Sequence, residues 1–366
     1  MNAPQQLHKL GQSIWLDNIT RELLTSGTLV RYINELSVTG LTSNPTIFDH
    51  AIQNGNFYDD AIRQKTLAGK SSETLFFELA LEDLIQAADL FRPIHDITDG
   101  IDGWVSLEVS PLLAEDTAGT IKAAAQLHAQ AKCPNLFIKI PGTRAGIPAI
   151  EESIFAGVPI NVTLLFSREH YIAAAEAYMR GIERRIAAGL DPRVASVASI
   201  FVSRWDVAVK DKVQGELLNN RLGIAIAMRT YKAYRDLLAS KRWQKLALSG
   251  AQLQRLLWGS TGTKDPKASD TLYVEALAAP ETINTIPEKT LLAFAEHGKI
   301  RNVLPVDESS AEEVIAEFNR EGVNDEVLAA ELQREGTESF AKSWNDLIAC
   351  IASKSDALTQ NHPGGN

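Results

Sequence analysis

Short apolar runs alternate with longer stretches whose apolar residues recur at helical spacing, from residue 13 to about residue 287. Because strands that alternate with helices pair in parallel through right-handed crossovers, this order predicts an α/β fold with a parallel sheet. The eight predicted strands are SIWLDNI from 13, VTGLTSN from 38, WVSLEVS from 104, LFIKIP from 136, PINVTLLF from 159, ASVASIFV from 195, LLWGST from 256 and TINTIP from 282.

The stretches between the predicted strands carry helix signals. Residues 117–132 and 168–188 have helical spacing, with Ser167 as the predicted N-cap and Gly189 as the predicted stop of the second helix. The longest gaps between strands, 45–103 and 203–255, are expected to contain additional helices.

Eight strand-helix units favour a (β/α)₈ TIM barrel. The rival architecture, an open doubly wound sheet, would usually carry a Gly-rich phosphate turn after its first strand, whereas this strand is followed by LDNITREL. We therefore expect one barrel domain spanning 1–366, with extra helices.

The chain beyond the eighth strand is expected to form a C-terminal helical extension over about 308–355. Ser310 and Glu313 have the spacing of a capping box, and apolar residues recur through EEVIAEF, EVLAAEL and SWNDLIACIA. The last segment, QNHPGGN, is expected to be frayed.

Charge and composition exclude several classes of partner. With 36 basic and 46 acidic residues, the net charge of −10 disfavours nucleic acids and anionic membranes, which bind clustered positive charge. Two cysteines, Cys133 and Cys350, and the absence of an apolar leader favour a cytoplasmic protein. No His, Cys or Asp cluster has metal-binding spacing, so we expect no metal site.

Polar residues lie near the carboxyl ends of six predicted strands. Because side chains two residues apart share a strand face, each polar residue can be assigned to a face. The pairs are Trp15 with Asp17, Thr42 with Asn44, Ser106 with Glu108, Phe137 with Lys139, Asn161 with Thr163, and Ser199 with Phe201. Active sites of barrels lie at this end of the strands. A structural hydrogen bond is the simpler explanation for Ser106 or Ser199 taken alone.

Asp17, Glu108 and Lys139 are charged residues in three separate strands. Buried charges are costly unless they pair, so these residues form either a structural ion network or a catalytic site, and we favour the catalytic site. Burial and a neighbouring cation both lower the pKa of a lysine, and a neutral amine can form a Schiff base with a carbonyl. A nearby carboxylate could then accept a hydroxyl proton as a carbon–carbon bond breaks.

The loop GSTGTKDP, 259–266, combines backbone N–H groups, hydroxyls including Ser260, and Lys264. Barrel phosphate sites often follow strands 7 and 8, so the loop suits an anion, although an ordinary Gly-containing turn remains possible. Its spacing is not that of a P-loop. Arg204 would supply a second cation.

Four segments together resemble the transaldolase family, and the correspondence spans 13 to about 300. GLTSNPTIF (40–48) looks like its first signature, and LFIKIPGTRAGI (136–147) resembles the stretch with the Schiff-base lysine. INVTLLFS (160–167) and SIFVSRWD (199–206) are similar to its Asn/Thr and Ser-x-Phe-x-x-Arg segments.

The resemblance implies a pentose phosphate pathway enzyme that transfers a dihydroxyacetone unit from sedoheptulose 7-phosphate to glyceraldehyde 3-phosphate, without a metal or an organic cofactor. Lys139 would form the Schiff base, Asp17 would be the general acid/base, and Glu108 with Thr163 would hold the catalytic water. The implied substrate-binding residues are Thr42, Asn44, Asn161, Ser199, Phe201, Arg204, Ser260 and Lys264. Sugar phosphates are the expected partners, and the chain is expected to be a monomer or homodimer.

Lys264 stands where many family members have an arginine, which resembles a longer bacterial subgroup. The main alternative is a fructose-6-phosphate aldolase, although the resembling aldolases lack the glutamate found here at Glu108. A glycosidase carboxylate pair is a further alternative, which a buried lysine in an apolar strand disfavours. A non-catalytic sugar-phosphate binding protein is another, which the presence of both Lys139 and Asp17 disfavours.

Overall fold

The computed structural model of the protein describes residues 1–213 and 218–360 and contains an eight-stranded parallel sheet. The strands are β1 (Ser13–Leu16), β2 (Val38–Leu41), β3 (Val105–Glu108), β4 (Leu136–Pro141), β5 (Ile160–Leu165), β6 (Ser196–Phe201), β7 (Gln254–Gly259) and β8 (Thr282–Ile286). They pair in the order β2-β1-β8-β7-β6-β5-β4-β3.

Two backbone hydrogen bonds connect the ends of this sheet, so that it curls into a nearly closed barrel. Gly103 N–H donates to Thr39 O at 2.9 Å, and Leu41 N–H donates to Trp104 O at 3.0 Å. These bonds join β2 to the segment that leads into β3. The predicted (β/α)₈ barrel is therefore confirmed.

Helices follow the strands and form the outer layer. They are α1 (Ala3–Lys9), α2 (Arg21–Thr25), α3 (Thr28–Leu36), α4 (Pro45–Asn54), α5 (Asp59–Leu67), α6 (Ser72–Ile97), α7 (Thr117–Ala131), α8 (Gly146–Ala156), α9 (Arg168–Ala187), α10 (Ser203–Val209), α11 (Leu222–Ala239), α12 (Lys241–Leu248), α13 (Leu272–Ala276), α14 (Glu288–His297), α15 (Ser309–Arg320) and α16 (Asp325–Gln360). None of these helices is long and apolar enough to cross a membrane.

Most of the predicted helix boundaries are confirmed. The Ser167 hydroxyl accepts a hydrogen bond from His170 N–H at the start of α9, and Gly189 lies just beyond its end at φ +69°. Helices α4 to α6 and α10 to α12 occupy the two long gaps between strands. Of the predicted frayed tail, only Gln360 lies within the described residues, where it ends α16.

The predicted capping box at Ser310 and Glu313 is wrong. The N-cap lies two residues earlier than predicted, at Glu308, so that helix α15 begins at Ser309, and the Glu308 side chain makes no capping hydrogen bond. Asp307 instead accepts hydrogen bonds from the N–H and the hydroxyl of Ser309. An acidic side chain preceding the helix takes the role that the sequence pattern assigned to Ser310.

The barrel interior is stratified because side chains alternate along each strand. At the amino ends, Asp102 accepts hydrogen bonds from Ser13 and from the Trp15 indole, and Arg255 donates to Ser13. Above lies a buried apolar layer of Trp15, Trp104, Phe137, Ala195, Val197, Leu257 and Ile283. Two residues further along several of the same strands, polar side chains face the carboxyl end. This apolar layer is the floor of the site.

Candidate active site

A pocket of about 380 Å³ opens at the carboxyl ends of the strands. Eleven of the twelve residues singled out from the sequence line it, and the twelfth, Glu108, contacts Lys139. The eleven are Asp17, Thr42, Asn44, Lys139, Asn161, Thr163, Ser199, Phe201, Arg204, Ser260 and Lys264. Residues from six strands and their following loops therefore converge on one cavity.

Lys139 lies at the base of the pocket and is only 6% exposed. Strand β4 is buried on both faces, as expected for a parallel barrel strand, and this burial fixes the lysine stem. Its Nζ donates to the Ser43 carbonyl at 3.2 Å and lies 3.1 Å from Glu108 Oε2. The charged group in contact with Nζ is thus a carboxylate rather than a cation.

Glu108 is buried beside Lys139 at the end of β3. Burial raises the pKa of its carboxyl above the ordinary value, and the neighbouring Lys139 opposes that rise. Within the described part of the chain, Lys139 is the only polar contact of the Glu108 carboxylate, and the buried Thr163 hydroxyl has no hydrogen-bond partner. Buried polar atoms normally have partners, so both groups retain capacity to bind a water or a substrate hydroxyl.

Asp17 lies at the wall of the same pocket, just after β1, and ends a chain of hydroxyl groups. Thr42 donates to Asp17 Oδ1 at 2.8 Å, and the Thr42 and Thr285 hydroxyl oxygens lie 2.6 Å apart. Since the Thr42 hydroxyl has one proton, Thr285 must donate to Thr42. Burial raises the pKa of Asp17, while Lys139 and the Thr42 hydroxyl act in the opposite direction.

Asn161 is held between two hydroxyl groups on neighbouring strands. Ser199 donates to its amide oxygen at 2.7 Å, and its amide nitrogen donates to Ser106 Oγ at 3.2 Å. Both ends of the amide are therefore hydrogen-bonded to neighbouring strands. Asn44 also has a structural role, because its side chain accepts a hydrogen bond from Ile47 N–H and caps helix α4.

Two cations line the upper part of the pocket, Arg204 at the start of α10 and Lys264 in the loop after β7. Neither side chain has an ion pair or hydrogen bond with any residue in 1–213 or 218–360. Burial lowers the pKa of the Arg204 guanidinium, whereas Lys264 is exposed. Ser260, in the left-handed region at φ +54°, lies between them in the chain and contacts the Ser203 hydroxyl at 2.9 Å.

Several pocket residues were missed by sequence reasoning. Thr285 has the same two-residue relation to Ile283 that identified Asp17 from Trp15, so strand alternation could have found it. The other polar and aromatic ones lie on helices, where no strand periodicity marks them. They are Thr46 and His50 on α4 and Ser339, Phe340 and Ser343 on α16.

The geometry brings Lys139, Asp17 and two cations into one cavity, with the Glu108 carboxylate in contact with the lysine. An amine and a carboxylate suit attack on a carbonyl with proton transfer, and the two cations, which form no ion pair or hydrogen bond with a described residue, suit an anionic group. The described residues include no group of three or more His, Cys, Asp or Glu side chains that could hold a metal ion.

Comparison with known proteins is consistent with this geometry. The family described as Transaldolase/Fructose-6-phosphate aldolase matches residues 14–351 of the chain. The chain belongs to this family. The predicted resemblance is therefore confirmed, and the matched range includes β1 from its second residue, strands β2 to β8 and most of α16.

Three relatives in the Transaldolase/Fructose-6-phosphate aldolase family match almost the full chain. A Transaldolase of Saccharopolyspora erythraea is 41% identical over 358 residues, covering 96% of this chain and 97% of that protein. A Transaldolase of Thermobifida fusca is 41% identical, covering 98% and 100%. Transaldolase 2 of Nostoc sp. is 37% identical, covering 98% and 99%.

Proposed function

We propose that the protein catalyses the transaldolase reaction, the transfer of a dihydroxyacetone unit from sedoheptulose 7-phosphate to glyceraldehyde 3-phosphate. The products are erythrose 4-phosphate and fructose 6-phosphate. The observation that carries this proposal is the buried Lys139 beside Glu108, in a pocket that also contains Asp17 and two cations that form no ion pair with the described residues. The two free cysteines suit a reducing compartment such as the cytoplasm.

Schiff-base formation begins when the neutral amine of Lys139 attacks C2 of the ketose. The nitrogen–carbon bond forms, and loss of water from the carbinolamine yields the iminium. Glu108, 3.1 Å from Nζ, is placed to accept protons from the amine and to return one to the departing oxygen. Its raised pKa makes this buried carboxylate a stronger base than an exposed one. The Thr163 hydroxyl would help to hold the water that leaves and later returns.

Carbon–carbon cleavage follows when Asp17 accepts the proton of the C4 hydroxyl. The C3–C4 electron pair moves toward the iminium, which yields an enamine on Lys139 and releases the first aldehyde. The second aldehyde then binds, enamine C3 attacks its carbonyl carbon, and Asp17 returns the proton to the new hydroxyl. Water hydrolyses the resulting iminium and frees the lysine.

Substrate orientation is assigned to the polar walls. Asn44, Asn161 and Ser199 would bind the hydroxyls of the three-carbon unit, while Thr42 holds Asp17 and Phe201 packs beside the reacting carbons. Arg204, Ser260 and Lys264 would bind the phosphate, because neither cation has an ion-pair or hydrogen-bond partner in the described part of the chain and the serine adds a hydroxyl.

The proposal is tested by incubating the protein with fructose 6-phosphate, with and without erythrose 4-phosphate. We expect sedoheptulose 7-phosphate only when the acceptor is present. Release of free dihydroxyacetone at a comparable rate without the acceptor would instead identify a fructose-6-phosphate aldolase. No product in either reaction would contradict both functions.

A further inference from the structure

Helix α16 forms one wall of the pocket at the mouth of the barrel. Four residues on one face of this helix, spaced three and four apart, contact or line the mouth: Gln333, Gly336, Phe340 and Ser343. The Gln333 amide donates to Gly142 O at 3.1 Å and to Leu164 O at 2.9 Å, at the ends of β4 and β5. Thr46 donates to Ser343 at 3.0 Å. The helix is therefore held across the mouth by hydrogen bonds to several elements.

Phe340 projects from this helix to the guanidinium of Arg204. The Arg204 Cζ lies 5.1 Å from the ring centroid of Phe201 and 5.7 Å from that of Phe340. The two rings are themselves 6.4 Å apart at an interplanar angle of 50°. Two aromatic rings, one from β6 and one from α16, thus contact the same guanidinium.

Gly336, one turn before Phe340, permits this close approach. A Cβ added there would lie 2.9 Å from Leu164 Cδ2 and 3.4 Å from an Arg204 guanidinium nitrogen. A side chain at this position would displace the Leu164 methyl group and would be in van der Waals contact with the guanidinium. Positions 336 and 340, one turn apart, therefore both lie next to Arg204.

Aromatic contacts stabilise a buried cation without occupying its hydrogen-bond donors. An ion-paired carboxylate would use the Arg204 N–H groups, but no carboxylate of the described residues forms an ion pair or hydrogen bond with Arg204. Glu108 acts on it only through charge attraction at longer range. The guanidinium keeps its planar set of donors for a ligand, in an orientation that both rings restrict. This is the arrangement expected of a preformed site for a phosphate monoester.

We infer that α16 is part of the phosphate subsite and that Phe340 is a positioning residue, which holds Arg204 in the orientation that binds the substrate phosphate. The inference rests on the proposed function, since it assigns the phosphate of the sugar substrates to this position. It gives the C-terminal helix a role in substrate selection.

The first test measures binding of inorganic phosphate by calorimetry in three variants. Phe340→Leu and Phe340→Met keep an apolar side chain but remove the ring, whereas Phe340→Trp keeps an aromatic face. Given the strength of cation–π contacts, we expect the variants without a ring to bind phosphate about 3- to 30-fold more weakly. The Trp variant should stay within about twofold of the wild type. Thermal midpoints of all variants verify folding.

The second test is a double-mutant cycle with Arg204→Ala, with kcat/KM for glyceraldehyde 3-phosphate and for unphosphorylated glyceraldehyde as readouts. Phe340→Leu should reduce kcat/KM more strongly for the phosphorylated acceptor. In the Arg204→Ala background, Phe340→Leu should lower kcat/KM for the phosphorylated acceptor by less than about twofold, because the guanidinium that Phe340 orients is absent. General damage to the fold would lower kcat/KM for both acceptors in both backgrounds.

The outcomes separate this inference from the proposed function. Unchanged phosphate binding in both variants without the ring, or an equal loss with and without Arg204, would overturn the role of Phe340 even if the transfer reaction is observed. If the wild type transferred no three-carbon unit, but the variants without the ring bound phosphate more weakly than the wild type, Phe340 would keep its role. The proposed reaction would then be contradicted.

Discussion

At the scale of single residues, the site brings together charged side chains whose burial costs free energy. Lys139, Glu108 and Asp17 are charged side chains drawn from three strands into a largely buried cavity, and burial raises the pKa of both carboxyls. A pair of apolar residues would often stabilise a core at least as well as a buried ion pair. Retaining the charges is understandable if each has a chemical role, and the roles can be separated by mutation.

Asp17→Ala and Glu108→Ala should fail at different steps. Without Asp17 the iminium should still form, but turnover should fall about 100- to 10,000-fold because the C4 hydroxyl has no base. Without Glu108 the formation of the iminium itself should slow. Rapid mixing with borohydride quenching measures the two steps. Equal loss of the trapped intermediate in both variants would contradict this division of roles.

Thr42→Val should shift the pH dependence of turnover. Cleavage requires ionised Asp17, so the rate falls as the pH drops below the pKa of that carboxyl, which burial already raises. Removing the Thr42 hydroxyl removes a hydrogen bond to the ionised form, which raises the pKa further and moves the acid limb to higher pH. Thr285→Val should act in the same direction but less strongly. Profiles of kcat against pH measure this, with Thr42→Ser as the control, and an unmoved limb would contradict it.

At the scale of elements, the β7–α13 loop and the start of α10 supply cations of different kinds. Arg204→Ala should raise KM for glyceraldehyde 3-phosphate about 10- to 150-fold, because a buried charged donor is lost. Lys264→Ala should raise it less, and the effect should shrink at high salt, because Lys264 is exposed and screened. Steady-state kinetics at two ionic strengths measure both. A salt-independent loss at Lys264 equal to that at Arg204 would contradict the assignment.

Attachment of α16 to the barrel depends on the Gln333 amide. Leu164 lies in the left-handed region at φ +57°, in the irregular end of β5, and Gln333 binds its carbonyl as well as that of Gly142. Gln333→Leu leaves both carbonyls without this donor and should lower the free energy of unfolding by about 1 to 3 kcal/mol. Denaturant titration measures the loss. Glu335→Gln, on the exposed side, should change it by less than about 0.5 kcal/mol, and similar losses in both variants would contradict the role of Gln333.

At the scale of the whole molecule, strand alternation explains why so much could be predicted from the sequence. Burial on both faces marks strands such as LFIKIP, and a polar residue two positions after an apolar interior residue points to the mouth of the barrel. Trp15 with Asp17 and Phe137 with Lys139 follow this rule. The rule needs only local information, because side chains alternate in the same way along every strand.

The rest depended on contacts that no local pattern encodes. Phe340 enters the site because α16 crosses the mouth, and its path is set by distant groups such as the carbonyls that bind Gln333. The capping box failed because Ser310 lies within α15, while Asp307, two residues before the helix, accepts the hydrogen bonds of Ser309. Helix spacing predicts a helix but not the surface on which it packs.

In the proposed reaction, Lys139 carries the three-carbon unit covalently. We propose borohydride reduction in the presence of fructose 6-phosphate, followed by peptide mass mapping, with Lys139→Met and Lys264→Ala as matched variants of two lysines that line the same pocket. We expect one reduced adduct, on the peptide that contains Lys139. It should be absent from Lys139→Met and retained in Lys264→Ala. An adduct on another lysine, or none in the wild type, would contradict it.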